Sequence, residues 1–131
     1  MIGLGLALAR PDRRVAVITG DGDMLMGLGS LATMGVQRAK NLAAHYGETA
    51  MQPSHVSAGV DLVAVALACG FKGARTVSVL GEAEDVRALL HGGKGSILVN
   101  ARIRAENPSR VLPLRDGHAI KHRFVAALGS A

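Results

Sequence analysis

The 131-residue sequence has few aromatic side chains, with two phenylalanines, one tyrosine and no tryptophan. Proteins that bind single-stranded nucleic acids stack the bases on aromatic rings, so this scarcity argues against such a function. The formal charge is +5 at pH 7, but the basic residues are dispersed and form no cationic run typical of nucleic-acid binding. The composition therefore predicts no nucleic-acid partner and a basic surface that favours an anionic ligand.

Cysteine and long hydrophobic segments are also scarce. Cys69 is the only cysteine, and it lies in an apolar segment, so we expect it to fill core space instead of joining a disulfide or a metal cluster. The apolar residues 2–9 are too short to span a bilayer and follow no basic segment of the kind that begins a signal peptide. The sequence therefore predicts a soluble, cytoplasmic protein that makes no membrane contact.

Glycine and small aliphatic residues are abundant, and predicted strands alternate with predicted helices. Strands are expected at 14–19, 74–79 and 96–103, and helices at 2–9, from the turn at 20–22 to about Gln37, and at 59–71, 81–93 and 116–129. This alternation predicts one α/β domain over residues 1–131, a three-layer α/β/α fold with a mostly parallel sheet. The continuous apolar run at 14–19 is typical of a central strand covered on both faces. Glycines at 27, 29 and 35 predict close packing of the following helix.

The segment VAVITGDGDMLMGLGSL (15–31) joins a buried strand to a helix through an acidic, glycine-rich turn. Gly20 and Gly22 let the backbone approach a ligand closely. A bare aspartate there would repel a phosphate, but Mg²⁺ binds carboxylate and phosphate oxygens together. The turn therefore indicates Asp21 as a ligand of a metal that carries a diphosphate. The alternative is that Asp21 or Asp23 merely caps the helix.

Four segments, VAVITGDGDMLMGLGSLATMG, NL, HYGETAMQPSHVSAGVDLVAVALACGF and RDGHAIKHRF, are similar to thiamine-diphosphate-dependent decarboxylases of 2-oxo acids. Among these, the sequence most resembles the sulfopyruvate and phosphonopyruvate decarboxylases of the beta-subunit type. The resemblance implies the diphosphate-binding, C-terminal domain of such an enzyme, with thiamine diphosphate and Mg²⁺ as cofactors. In that family the cofactor is the electron sink for loss of CO₂ from a small 2-oxo acid.

The resemblance also implies which residues form the site. The metal would be held by Asp21 and by the backbone carbonyl of His45. The backbone near the diphosphate would be that of Gly20, Gly22 and Asp23. The loop over the site would consist of His45, Tyr46 and Gly47. The residues on the substrate side would be Glu48, Thr49 and Gln52. No catalytic residue is assigned by this comparison.

The sequence departs from the family pattern between NL and HYG. The family has there an apolar strand that ends in an asparagine, the second side-chain ligand of the metal, and Asn41 lies at the wrong end of that strand to replace it. We therefore expect a sheet truncated at the N-terminus and lacking one central strand. We also expect that the chain alone binds the cofactor weakly or not at all. A homo- or hetero-oligomer is expected, in which a pyrimidine-binding domain or subunit completes the enzyme. The alternative is a non-catalytic remnant or scaffold subunit that keeps the fold.

Other polar residues each allow two interpretations. His118 and His122 are four residues apart on a predicted helix, as a metal-binding pair or on a solvent-facing surface. His55 either faces the substrate or lies in an exposed loop. Arg102 and Arg104 either meet an anionic substrate tail or are solvated charges at a strand end.

Overall fold

The computed structural model describes residues 1–38, 40–47, 55–92, 94–104, 106, 109 and 111–129. It confirms the predicted alternation of helices and strands. The elements are α1 (Ile2–Ala9), β1 (Val15–Gly20), α2 (Asp21–Met26), α3 (Gly29–Gln37), β2 (Leu42–Gly47), α4 (Leu62–Ala68), β3 (Gly73–Val77), α5 (Ala83–Gly92, after a 3₁₀ turn at Leu80–Glu82), β4 (Ile97–Ala101) and α6 (Gly117–Ala127).

The four strands form one parallel sheet in the order β1-β2-β4-β3. Gly20 pairs with Gly47, and Asn100 pairs with Tyr46 on one side and Thr76 on the other. Because all strands run the same way, their carboxyl ends lie along one edge of the sheet. That edge, at which the strands lead into the following loops and helices, is where ligands bind in open α/β sheets.

Helices cover both faces of this sheet. Leu98 of β4 is fully buried in a cluster with side chains of α1, α3 and α4. Its neighbours Ile97 and Val99 point to the opposite face and pack against α5, as the alternation of strand side chains requires. The predicted three-layer α/β arrangement is therefore confirmed. Among the described residues, no helix has both the length and the apolar character needed to cross a membrane.

The small parallel sheet of four described strands agrees with the expected truncated sheet. The place of one segment differs from the expectation, because His45, Tyr46 and Gly47, which the resemblance places in a loop, end strand β2 (Leu42–Gly47), and this strand lies between β1 and β4. A gap there would leave the backbone groups of β1 and β4 without partners along the sheet. Leu42 is fully buried at the start of this strand, so the chain keeps a continuous sheet with the residues that it has.

The position of β1 also differs from the prediction. Among the described strands β1 is an edge strand, paired on one side only, and its Ile18 side chain is 80% exposed. The strand register aligns Ile18, through β2, with Val99 of β4. Ile18 therefore lies on the same face of the sheet as Val99, the face that α5 covers farther along. The apolar run correctly predicted a strand but not its place in the sheet, which depends on neighbours distant in the sequence.

The predicted helix after the turn is divided in two at Gly27. Of the three glycines expected to pack closely, Gly35 does so, since a Cβ there would collide with the backbone carbonyl of Cys69. Gly27 has only ordinary contacts, and Gly29 has no atom within 4 Å of the position a Cβ would take. Cys69 is a free, partly buried cysteine packed against the main core, as predicted.

Helix α6 forms as predicted, but it buries none of its residues. Asp116 caps it, with Oδ1 accepting from the backbone N–H groups of His118 (2.9 Å) and Ala119 (3.1 Å). Its far end is held by a hydrogen bond of 2.6 Å from Arg10 Nη1 to the Leu128 carbonyl. Phe124 remains 51% exposed.

Candidate active site

The turn that follows β1 is built around Gly20. This glycine is extended (φ −76°, ψ 160°) and is the N-cap of α2, so Asp21 is the first residue inside the helix. The alternative in which Asp21 or Asp23 is the capping residue is therefore wrong. A glycine without a side chain at this position keeps the edge of the sheet open beside Asp21.

The two acidic side chains of the turn have different surroundings. Asp21 is only 7% exposed, and a carboxylate is seldom buried to this degree without compensating polar or cationic groups. Asp23 is exposed and accepts a hydrogen bond of 3.4 Å at Oδ2 from Thr19 Oγ1. The geometry therefore separates a buried carboxylate at position 21 from a solvated one at position 23.

Glycines flank Asp21 along the chain, and another glycine ends the neighbouring strand. Gly47 ends β2 directly opposite Gly20, so two glycines from adjacent strands meet at the carboxyl edge. At Gly22, the space that a Cβ would fill has no heavy atom within 4 Å. A ligand with several oxygen atoms could approach this backbone closely. These features fit a diphosphate that is carried by a divalent cation on Asp21.

A cavity of about 200 Å³ lies next to the turn, between β1 and helices α2 and α3. Its walls are mainly apolar, and Thr19, Asp23 and Ser30 supply polar atoms. The remaining lining residues are Met1, Val17, Met24, Gly27, Met34 and Leu42. The turn therefore lies between the carboxyl edge of the sheet, where the Asp21 carboxylate is, and a mainly apolar recess.

Comparison with known proteins agrees with this geometry. The family described as "Thiamine pyrophosphate enzyme, C-terminal TPP binding domain" matches residues 2–43, which span α1 to the start of β2 and so include the whole turn. The sulfopyruvate decarboxylase subunit beta of Methanocaldococcus jannaschii is 35% identical over 133 residues, covering 92% of this chain and 70% of that protein. The chain belongs to this family of thiamine pyrophosphate enzymes.

Two further relatives support the assignment. The sulfopyruvate decarboxylase subunit beta of Methanococcus maripaludis is 36% identical over 140 residues, covering 97% of this chain and 70% of that protein. The phosphonopyruvate decarboxylase of Streptomyces viridochromogenes is 39% identical over 108 residues, or 79% of this chain. The chain spans only 27% of the length of that Streptomyces protein.

The structure places the HYG segment in β2 instead of in a loop. His45 is paired with Ile18 on one side and Val99 on the other. Backbone groups of a strand paired on both sides are generally used in the sheet ladder, and the His45 carbonyl as a metal ligand stays a prediction. Gly47, at the end of β2, is the residue of this segment that reaches the edge. The substrate-side residues Glu48, Thr49 and Gln52 lie outside the described residues.

Asn41 has a structural role that sequence reasoning missed. Its Nδ2 donates to the backbone carbonyls of Ala7 (2.9 Å), Arg10 (2.9 Å) and Arg13 (2.6 Å). These bonds hold the loop between α1 and β1 at the amino edge of the sheet, opposite Asp21. That Asn41 does not replace the family's metal-binding asparagine stays a prediction, with which its place at the amino edge agrees. An asparagine just before a strand gave no signal of this role.

The carboxyl ends of β3 and β4 form a second recess, of about 350 Å³, whose wall includes Ser78 and Arg102. Arg102 and Arg104 are both exposed, and Arg102 lies at the same edge of the sheet as Asp21. Beside this recess, the backbone N–H groups of Ser78 and Val79 donate to Glu82 Oε2 at 2.8 and 3.2 Å. These bonds, together with the Arg75 guanidinium, hold the pKa of the Glu82 carboxyl below its ordinary value.

The remaining histidine predictions concern exposed side chains. His55 lies in an exposed turn, and nothing in the structure brings it to Asp21. His118 and His122 are exposed on α6, with ring centres 4.2 Å apart. No group of three or more histidine, cysteine, aspartate or glutamate side chains able to hold a metal occurs in the part of the chain that the structure describes.

Proposed function

We propose that the chain is the diphosphate-binding domain of a decarboxylase that acts on small 2-oxo acids with an anionic tail, such as sulfopyruvate or phosphonopyruvate. The observation that carries this proposal is the buried Asp21 carboxylate at a sheet edge lined by Gly20, Gly22 and Gly47. The names of the relatives supply the substrate class. All described strands share one sheet, which supports a single domain over residues 1–131.

The chain's contribution to cofactor binding follows from the turn. Asp21 would hold Mg²⁺, a cation that takes one or two carboxylates together with phosphate oxygens. The backbone at Gly20, Gly22 and Asp23 would lie along the diphosphate, and Gly47 would close the edge from the neighbouring strand. Burial of Asp21 keeps water away from the carboxylate, which strengthens its attraction for the cation.

When bound, thiamine diphosphate supplies the electron sink that allows CO₂ to leave a 2-oxo acid. The role of this chain is to fix the charged end of the cofactor at the edge of the sheet. Glu48, Thr49 and Gln52 follow β2 along the chain, and we assign them to the substrate side, with Tyr46 in the strand that leads to them.

The relatives that this chain covers most fully are named as beta subunits, which supports a partner subunit. We propose that the partner carries the pyrimidine-binding domain and that the complete site forms between the two. An assay of decarboxylation of 3-sulfopyruvate and 3-phosphonopyruvate, with thiamine diphosphate and Mg²⁺, tests this directly. Activity is expected only when the pyrimidine-binding subunit is added. A complex without activity towards either acid would favour the non-catalytic scaffold instead.

Asp21→Ala tests the metal ligand. Calorimetry of the chain alone is expected to show weak Mg²⁺-dependent binding of thiamine diphosphate, and this substitution should abolish it because no other carboxylate of the turn is buried. Asp12→Ala is the matched control, since Asp12 lies before β1 and pairs with Arg10 at 2.9 Å. The proposal fails if Asp21→Ala binds the cofactor as the unmodified chain does, or if Asp12→Ala has the same effect.

A further inference from the structure

Helix α6 carries two histidines whose side chains point the same way. His118 and His122 are four residues apart, which places them one above the other on one side of a helix. Both are exposed, their ring centres are 4.2 Å apart, and the rings are inclined by 54°. We propose that this pair binds a divalent transition-metal ion of the zinc, nickel and copper class. The site is independent of the proposed function and lies on a different element.

The separation of the rings is close to what a shared ion requires. Zinc lies about 2 Å from each imidazole nitrogen, so the centres of two rings on one ion are roughly 4.5–5 Å apart. The observed 4.2 Å differs from this by an amount that small side-chain rotations cover. The cap by Asp116, which accepts two backbone hydrogen bonds, fixes the helical turn that carries His118. The two rings therefore already lie side by side, and rotation of the side chains would turn one nitrogen of each ring towards a shared ion.

The kind of ion follows from the ligands. Imidazole nitrogen suits zinc, copper and nickel, whereas Mg²⁺ prefers oxygen. Within the described residues no third histidine, cysteine or carboxylate joins the pair to form a larger group, so water would complete the coordination. Such a site is open and exchanges its ion readily, unlike a closed structural zinc site. Since α6 buries none of its residues, an ion that links two of its turns would also stabilise the helix.

Titration of the untagged chain with zinc chloride or nickel chloride, followed by calorimetry, tests the proposal. One equivalent is expected to bind, and His118→Ala and His122→Ala should each weaken binding by about tenfold or more, because a single imidazole loses the advantage of two linked ligands. His55→Ala and His91→Ala remove exposed histidines elsewhere and are expected to leave the affinity unchanged. Alanine has the highest helix propensity, so α6 should remain helical in the two test variants.

A second variant tests whether metal binding depends on the spacing of the two histidines or only on their number. His122→Ala combined with Arg123→His keeps two histidines on α6 but sets them five residues apart, on different sides of the helix. Binding should fall to the level of the single variants. The proposal is overturned if this variant binds like the unmodified chain, or if zinc shifts the imidazole NMR signals of other histidines while those of His118 and His122 stay in place.

Discussion

At the scale of single residues, identical carboxyl groups have different roles because their surroundings differ. Asp21 and Asp23 are two residues apart, yet one is buried at the sheet edge and the other is exposed. Glu82 is different again, because its carboxylate accepts hydrogen bonds from two backbone N–H groups at the end of β3. The residue type predicts that each carboxylate can bind a cation or accept a hydrogen bond, but the fold decides which partner each one meets.

The Glu82 carboxyl gives a prediction about pH. Its pKa is lower in the folded chain than its ordinary value, so its stabilising effect is complete above that ordinary value and is lost as the pH falls through the lowered one. Glu82→Gln should therefore be less stable than the unmodified chain at pH 7, and the difference should shrink in acid. Urea unfolding at several pH values measures this. Glu106→Gln, which removes an exposed carboxylate away from this turn, is the control for net charge.

At the scale of elements, the contact between α3 and the end of α4 depends on one glycine. A Cβ at Gly35 would meet the carbonyl oxygen of Cys69, whereas a Cβ at Gly29 on the same helix would enter open space. Helix α4 ends at Ala68 with Cys69 as its C-cap, and the chain then turns at Gly70, which has a positive φ of 87°. Close packing and chain reversal therefore both use glycine here, for different reasons.

Alanine substitutions at these two glycines of α3 should have opposite effects. Gly35→Ala should destabilise the chain by about 1–3 kcal/mol, because the added methyl group forces the two helices apart. Gly29→Ala should instead stabilise it by about 0.4–1 kcal/mol, by restricting the unfolded chain. Thermal or urea unfolding of both variants measures the difference. Equal effects at the two positions would show that α3 and α4 do not approach as closely as the structure places them.

At the scale of the whole molecule, the two edges of the sheet have separate functions. Asp21 and the glycines lie at the carboxyl edge, while Asn41 joins three backbone carbonyls at the amino edge. β1 has six residues, and at about 3.3 Å per residue a strand of this length separates its ends by roughly 20 Å. Stability and ligand binding can therefore change independently.

Asn41→Ala should lower the free energy of unfolding by about 1–3 kcal/mol, because it removes the side-chain donor that the carbonyls of Ala7, Arg10 and Arg13 share. It should leave Mg²⁺-dependent cofactor binding unchanged. The effects of Asn41→Ala and Asp21→Ala on stability should add to within about 0.5 kcal/mol, since the sites share no contact. Urea unfolding of the two single variants and the double variant tests this. A larger coupling would contradict the separation of the two edges.

The sequence by itself determined the alternation of helices and strands apart from β2, the parallel α/β class and the family, because local apolar periodicity and the glycine-rich turn are visible without any partner. It also identified Asp21 and the strand end that carries it. Local pattern did not reveal that Leu42–Gly47 forms a strand, since that depends on the open edges of β1 and β4.

Only the tertiary structure decided that β1 lies at the edge of the described sheet, that Asn41 holds a loop, and that Gly35 but not Gly29 permits close packing. Each of these depends on groups that are distant in the sequence and meet only when the chain folds. An apolar run or a glycine has the same local appearance whether or not another element reaches it. Burial, pairing and close approach are properties of the assembled molecule, and for that reason the sequence alone left them open.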